Sequence, residues 1–167
     1  MEQGKSAFLE VFGNQLRVRV CGLCIVDGKI LLVKHTSLGN KKYFWSPPGG
    51  GMDYGTDAAD NLEREYLEET GLIVKTGDFV CVHEFLAPPL HAIELFYQVH
   101  ILGGNLVTGT DPELHQEKQL IKDVQFVPFA AIKDDEENAY HNIFKCSAKP
   151  DEILTLKGYF LFDDRIK

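Results

Sequence analysis

The stretch Gly49-Gly50-Gly51-Met52-Asp53-Tyr54-Gly55-Thr56, continued by Asp57-Ala58-Ala59-Asp60-Asn61-Leu62-Glu63-Arg64-Glu65-Tyr66-Leu67-Glu68-Glu69-Thr70-Gly71-Leu72, decides how this 167-residue chain folds. From Asp57 to Thr70 the spacing predicts a helix, because Ala58, Ala59, Leu62 and Tyr66 fall on one face. Thr56 stands where an N-cap would, Asp57 and Asp60 suit the first turn, and Gly71 closes the last one. At 100° per residue Glu65, Glu68 and Glu69 occupy one arc of about 100°. Glu65 and Glu69 extend the apolar stripe, so they are not an ordinary solvated face. Three acids so placed repel one another and oppose the dipole of a helix C-terminus. A cation belongs there. Arg64 supplies one charge, at i,i+4 to Glu68, and the remaining deficit suits Mg²⁺ or Mn²⁺. Gly49, Gly50 and Gly51 complement it, since backbone without Cβ can approach an ion or a diphosphate closely.

Outward from this stretch the chain reads as one domain over residues 1–167, with no repeat or linker dividing it. Before it, Arg17-Val18-Arg19-Val20 alternates, Leu23 to Val26 is apolar, and Asp27-Gly28 turns into Lys29-Ile30-Leu31-Leu32-Val33-Lys34, a predicted hairpin. Tyr43-Phe44-Trp45 is a short strand candidate running into the turn-rich Ser46 to Gly51. Beyond it, Leu72 to Leu86 and Ala92 to Leu102 read as strands, as does Asp123 to Val127. Helical segments are expected near Phe129 to Ile132 and Pro150 to Leu156. Strands, helix, strands and helices in that order imply an α/β layer fold with a mixed β-sheet.

The net charge of −8 argues against general nucleic-acid binding and against an anionic membrane surface. No apolar run approaches the roughly 20 residues of a membrane span, and Met1-Glu2-Gln3-Gly4-Lys5 opens onto no signal-like stretch, so a cytoplasmic protein is expected. Cys21 and Cys24 form a C-x-x-C, but three residues apart on a strand they point to opposite faces and read as buried reduced thiols. His35, His83, His100 and His141 stand singly, without ligand spacing.

The glycine run and the acidic helix together resemble the Nudix box, whose family pattern is G-x5-E-x7-R-E-U-x-E-E-x-G-U with U bulky and apolar. Laid from Gly50 to Leu72, it matches at Arg64, Glu65, Glu68, Glu69, Gly71 and Leu72. Tyr66 stands at a U position, and Thr56 stands where the family has its first glutamate. That glutamate typically pairs with the box arginine and orients the loop against the helix; Asp57 is a candidate for part of this role, as is Arg64 relying on Glu68 alone.

The resemblance implies a Nudix-type α/β/α sandwich and a Mg²⁺-dependent pyrophosphohydrolase (Mn²⁺ the alternative ion). It would cleave the diphosphate bridge of a small-molecule nucleoside diphosphate linked to another moiety, such as ADP-ribose or a nucleotide sugar. Alternatives are a (d)NTP-sanitising pyrophosphohydrolase and a non-catalytic nucleotide-binding sensor. Glu65, Glu68 and Glu69, with the Gly49 carbonyl, are the implied metal ligands, and Arg64, Glu65 and Glu68 the catalytic group. Gly50 and Gly51 would meet the substrate. The general base comes from the box or from a later loop, where Glu117 ranks ahead of Glu113, with His115 between them. Lys34, at a strand end, is a phosphate or ribose contact ahead of Arg17 and Arg19. Tyr43, Phe44, Trp45, Phe85 and His91 are candidates for stacking on a base, though strand aromatics usually belong to a core. Pro88 lies where ADP-ribose-type members carry a proline, and a turn explains it equally. A homodimer is among the admissible assemblies.

Overall fold

The computed structural model describes Leu9 and residues 11–36, 43–110, 119–133 and 139–166. Nine strands are formed by these residues: β1 (Gln15–Leu23), β2 (Ile25–Val26), β3 (Lys29–Thr36), β4 (Tyr43–Ser46), β5 (Gly49–Gly51), β6 (Leu72–Ala87), β7 (Leu90–Gly104), β8 (Ile121–Pro128) and β9 (Tyr159–Asp163). The main helix α1 spans Ala58–Thr70, a one-turn helix α2 spans Phe129–Lys133, and 3₁₀ turns cover Asn142–Lys145, Pro150–Thr155 and Asp164–Ile166.

One sheet has the order β5-β1-β7-β6-β9, with β1·β7 and β6·β9 parallel and the other pairs antiparallel. In the second, β3 pairs with β8 along one edge and with β2 and β4 along the other, all antiparallel. The mixed sheet expected from sequence is therefore present. Asp27 and Gly28, at φ 49° and 71°, make the expected tight turn between β2 and β3. The hairpin is shorter than its hydrophobic pattern implied: the chain leaves the first sheet after Leu23, and only Ile25 and Val26 pair with β3. Pro88 occupies the turn between β6 and β7. The glycine run, read as a turn, is instead the edge strand β5, with Gly49, Gly50 and Gly51 opposite Cys21, Val20 and Arg19. The second helical candidate is a 3₁₀ stretch, Pro150–Thr155. Strand β9 has no period-2 signal in the sequence, because its outward positions are the exposed apolar residues Tyr159 and Leu161, which give no apolar-in, polar-out contrast.

Two apolar clusters lie on opposite sides of the paired sheets. One joins Leu62 and Tyr66 of α1 to Val20, Val74 and Val99 of the first sheet and Leu31, Val33 and Val124 of the second. The other joins Cys21, Leu23, Cys81 and Phe96 to Ile30, Leu32 and Trp45, and is covered by α2 and the 3₁₀ turns through Ile132, Ile143 and Ile153. Helical segments thus flank the strands on both sides, the layering expected. Cys21 and Cys24 are buried free thiols in different clusters, but Cys24 lies between β1 and β2, so a continuous strand alternation is not what separates them.

Helix α1 is tied to β1 by its one buried tyrosine. The Tyr66 hydroxyl donates to the Gly22 carbonyl at 2.8 Å, and a Cβ at Gly22 would lie 2.4 Å from the ring, so the glycine is what lets the helix seat. Replacing Tyr66 by Phe keeps the packing and orphans a buried carbonyl. Denaturant unfolding should find Tyr66→Phe less stable by about 1 kcal/mol with an unchanged m-value.

Candidate active site

Helix α1 brings the acids to the glycine strand because its buried face continues past Leu62 and Tyr66 to Glu65 and Glu69, which are only 6% and 5% exposed. Glu68 lies further round and is half-buried. The backbone amide of Gly49 donates to Glu69 Oε2 at 3.0 Å. A Cβ at Gly50 would stand 2.3 Å from Glu65 Oε1, so no other residue fits between strand and carboxylate. Arg64 holds the cluster from its flank, with Nη2 3.0 Å from Glu65 Oε1 and Nη1 2.9 Å from Glu68 Oε2.

The start of the helix corrects the expected cap. Asp57, not Thr56, is the N-cap, and its Oδ1 accepts from the Asp60 amide at 2.9 Å. Asp57 is thereby committed to the cap, and Arg64 finds its loop partner elsewhere, at Asp53 Oδ2, 3.1 Å away. Asn61 completes the substitution for the family's missing glutamate. Its Oδ1 accepts from the Asp53 amide at 3.0 Å, and its Nδ2 donates to the Asp57 carbonyl at 2.7 Å and to Thr56 Oγ1. The Thr56 hydroxyl in turn donates to the Asp53 carbonyl at 3.0 Å. Short polar side chains thus lock the loop onto the helix where one long carboxylate was expected. Gly71 ends the helix in the left-handed region, φ 71°, and its amide donates to the Leu67 carbonyl at 3.0 Å.

The donor set at Glu65, Glu68 and Glu69 fits the chemistry of a hard divalent cation: two carboxylates lie against a strand of bare backbone that adds carbonyls, and the third, Glu68, is linked to Glu65 through Arg64. The Gly49 carbonyl, expected as a further ligand, also accepts from Arg19 Nη2 at 3.2 Å, leaving its second lone pair. Lys34 Nζ lies over the rings of Tyr43 and Trp45, 4.6 and 5.5 Å from their centroids. Trp45 belongs to the core, Phe44 packs on His141, Phe85 stacks on Phe162, and His91 Nε2 lies 2.7 Å from Glu84 Oε1. Glu113, His115 and Glu117 lie outside the described residues.

Two of the histidines read as solitary are not. His83 on β6 and His141, just before a 3₁₀ turn, converge on Glu94 of β7: His83 Nδ1 and His141 Nε2 lie 2.9 and 3.0 Å from Glu94 Oε2. All three are buried. Burial opposes a charge on Glu94, but His141, His83 and Arg19 outweigh it and hold its carboxyl far below the usual carboxylate range. The three ligand atoms are close enough for a metal ion, yet the hydrogen bonds assign them otherwise. His141 Nδ1 accepts from the Ile143 amide at 3.1 Å, so its proton sits on Nε2 and points at Glu94. The pattern is a hydrogen-bonded network rather than a ligand set. A signal for it existed in the sequence: His83 and Glu94 each occupy the inward phase of an apolar strand, between Cys81 and Phe85 and between Ala92 and Phe96. Only the register His83↔Glu94 shows that they meet.

The chain matches the NUDIX domain family over residues 14–146. An ADP-ribose pyrophosphatase of Methanocaldococcus jannaschii is 34% identical over 96 residues, 56% of each chain. Phosphatase NudJ of Escherichia coli K12 is 33% identical over 81 residues, 43% of this chain and 52% of that one. The chain thus spans about half the length of the curated relatives it matches. Among solved structures, a NUDIX hydrolase from Nitrosomonas europaea aligns with a TM-score of 0.63 at 16% identity, covering 76% of this chain and 81% of that one. An ADP-ribose pyrophosphatase from Streptococcus suis aligns with a TM-score of 0.57 at 19% identity, covering 86% and 98%. These structural likenesses establish the fold.

Two outcomes follow from the geometry. Asn61→Ala removes the lock between loop and helix and should cost about 1–3 kcal/mol, with faster amide exchange at Asp53. His35 sets a pH dependence. Burial, with the Arg19 charge adding to it, pushes the imidazole down to about 3. A depressed histidine favours the fold above its unfolded value near 6.5, and that contribution is lost as pH falls from there toward 3. Thermal melts between pH 7 and 5 should show wild-type stability falling and His35→Gln falling less steeply; parallel curves would refute the assignment.

Proposed function

This chain belongs to the NUDIX domain family, and from that premise we propose that it is a Mg²⁺-dependent pyrophosphohydrolase, with Mn²⁺ as the alternative ion. Its substrate is a nucleoside diphosphate joined to a second moiety, in the class of ADP-ribose and nucleotide sugars. The observation that carries this reading is the placing of Glu65 and Glu69 against a strand made only of glycine, with Glu69 held by the Gly49 amide, Glu65 packed against Gly50, and Glu68 linked to Glu65 through Arg64. The name of the Methanocaldococcus jannaschii relative supports the substrate class.

In this reading Glu65, Glu68, Glu69 and the Gly49 carbonyl hold the ion, which when bound offsets phosphate charge and makes a water more acidic. Arg64 keeps Glu65 and Glu68 at fixed positions, so the carboxylates do not spread apart under their own repulsion. Backbone at Gly50 and Gly51 lies against the phosphates, and Lys34 is a further phosphate or ribose contact. Water adds to one phosphorus of the P–O–P bridge, and the bridging oxygen leaves with the other phosphate. The water proton passes to a carboxylate, with Glu117 ranked ahead of Glu113. The loop lock of Asp53, Thr56 and Asn61 favours an enzyme over a binding-only sensor, because the departure at Thr56 leaves Arg64 fully engaged.

Purified protein given Mg²⁺ and a panel of ADP-ribose, nucleotide sugars, dinucleoside polyphosphates, NADH and (d)NTPs should release two monophosphate products from the first two classes. Glu69→Gln should lower that turnover by at least about 100-fold while the far-UV spectrum stays native. Ligand binding without hydrolysis across the whole panel would instead establish the sensor.

A further inference from the structure

The buried network around Glu94 has more cation than it uses. Arg19, Glu94 and His83 stand side by side across β1, β7 and β6, and Arg19 faces Gly51 of β5 on its other flank. Glu94 Oε2 already takes two imidazole donors, whereas Arg19 Nε stops 3.7 Å short of Oε1, beyond a hydrogen bond. That Nε is buried without a partner among the described residues. The two groups attract each other by charge, but the Nε donor is not satisfied by the carboxylate. A buried donor left unmade costs about 1–3 kcal/mol, so its persistence calls for a use.

Holding Gly49 is not a sufficient use. The Gly49 backbone is already set by pairing with Cys21, by the Glu69 carboxylate on its amide, and by a fit so close that a Cβ would meet the Val20 carbonyl at 2.0 Å. Arg19 adds a contact to a carbonyl that has nowhere to go. Its side chain remains 23% exposed, beside the one strand where backbone is bare. A guanidinium fork beside such a strand, already reaching its backbone through Nη2, matches the oxygens of a phosphate. The local charge agrees: the site concentrates carboxylates, and a diphosphate entering it needs cations that the protein itself supplies.

We infer that Arg19 is a substrate-binding residue, its fork taking a non-bridging oxygen of the substrate diphosphate at the glycine strand, with Glu94, His83 and His141 as a rigid backing. The inference rests on the pyrophosphohydrolase reading and reverses the sequence ranking, in which Lys34 came before Arg19. The backing accounts for an otherwise costly buried carboxylate: it holds the guanidinium by charge at 3.7 Å without consuming its donors.

The test uses the preferred substrate of the panel for kinetics and α,β-methylene-ADP, a nucleoside diphosphate whose bridge cannot be hydrolysed, for calorimetric binding with Mg²⁺. Arg19→Gln should raise KM and the Kd of the analogue at least tenfold, with kcat reduced less than KM is raised and the melting temperature within a few degrees of wild type. Arg19→Lys keeps the charge beside Glu94 but lacks the fork, and should raise both constants at least threefold. Folded variants whose KM and Kd stay within twofold of wild type would overturn the role of Arg19. If Arg19→Gln does not fold, Arg19→Lys decides on the same threshold. A wild-type protein that hydrolyses nothing and binds no analogue removes the activity itself, an outcome distinct from an active wild type with indifferent Arg19 variants.

Discussion

The approach of Gly50 to Glu65 leaves no room for a side chain: a Cβ there would sit 2.3–2.6 Å from all three carboxyl atoms of the glutamate. Much of the molecule can be traced to that contact. It requires glycine at position 50, and a strand of three glycines has weak propensity of its own, so β5 is an edge strand zipped to β1. Its closeness requires α1 to lie flat against the first sheet, which Tyr66 secures by reaching the Gly22 carbonyl. It also buries two acids of one helix, whose repulsion must then be met by cations.

Two arginines meet it in different ways. Arg64 works along the helix, bridging Glu65 and Glu68 and reaching back to Asp53 in the loop. Arg19 comes from the neighbouring strand and touches the glycine backbone itself. The first is a tightly partnered structural clamp, and the second keeps a buried Nε without a hydrogen-bond partner among the described residues. The chain's overall charge of −8 hides this local balance, in which acids and guanidiniums are interleaved within one small volume. The remaining demand for positive charge is what a divalent cation would fill, without broad attraction to polyanions.

Legibility followed the range of the interaction. Helix α1 was readable to within a residue because its signals are local: apolar spacing, acids in the first turn and a closing glycine. Its cap was misplaced by one position, since Thr56 and Asp57 both suit the role and only the geometry of the Asp60 amide separates them. The burial of Glu65 and Glu69 was also readable, as a continuation of the stripe of Leu62 and Tyr66. Asp53 and Asn61, by contrast, carry no local mark of their partnership with Arg64. Loop residues of this kind are ordinary turn formers until the chain folds back on itself.

By itself the sequence determined the α/β layering, the strand-helix order, the helix that carries the acids and the glycines that meet it. Each of these is written in spacing between near neighbours, where periods of 2 and 3.6 translate directly into faces. Only the tertiary structure decided that His83, Glu94 and His141 form one network and that Arg19 reaches Gly49. His83 and Glu94 stand 11 residues apart, and His141 is far beyond both. Their meeting depends on the register of β6 on β7 and on the way residues 139–141 hydrogen-bond alongside Trp45. Register is set by the packing of whole strands rather than by any single residue, so a lone histidine on an apolar strand gains its meaning only when the opposite strand is in place.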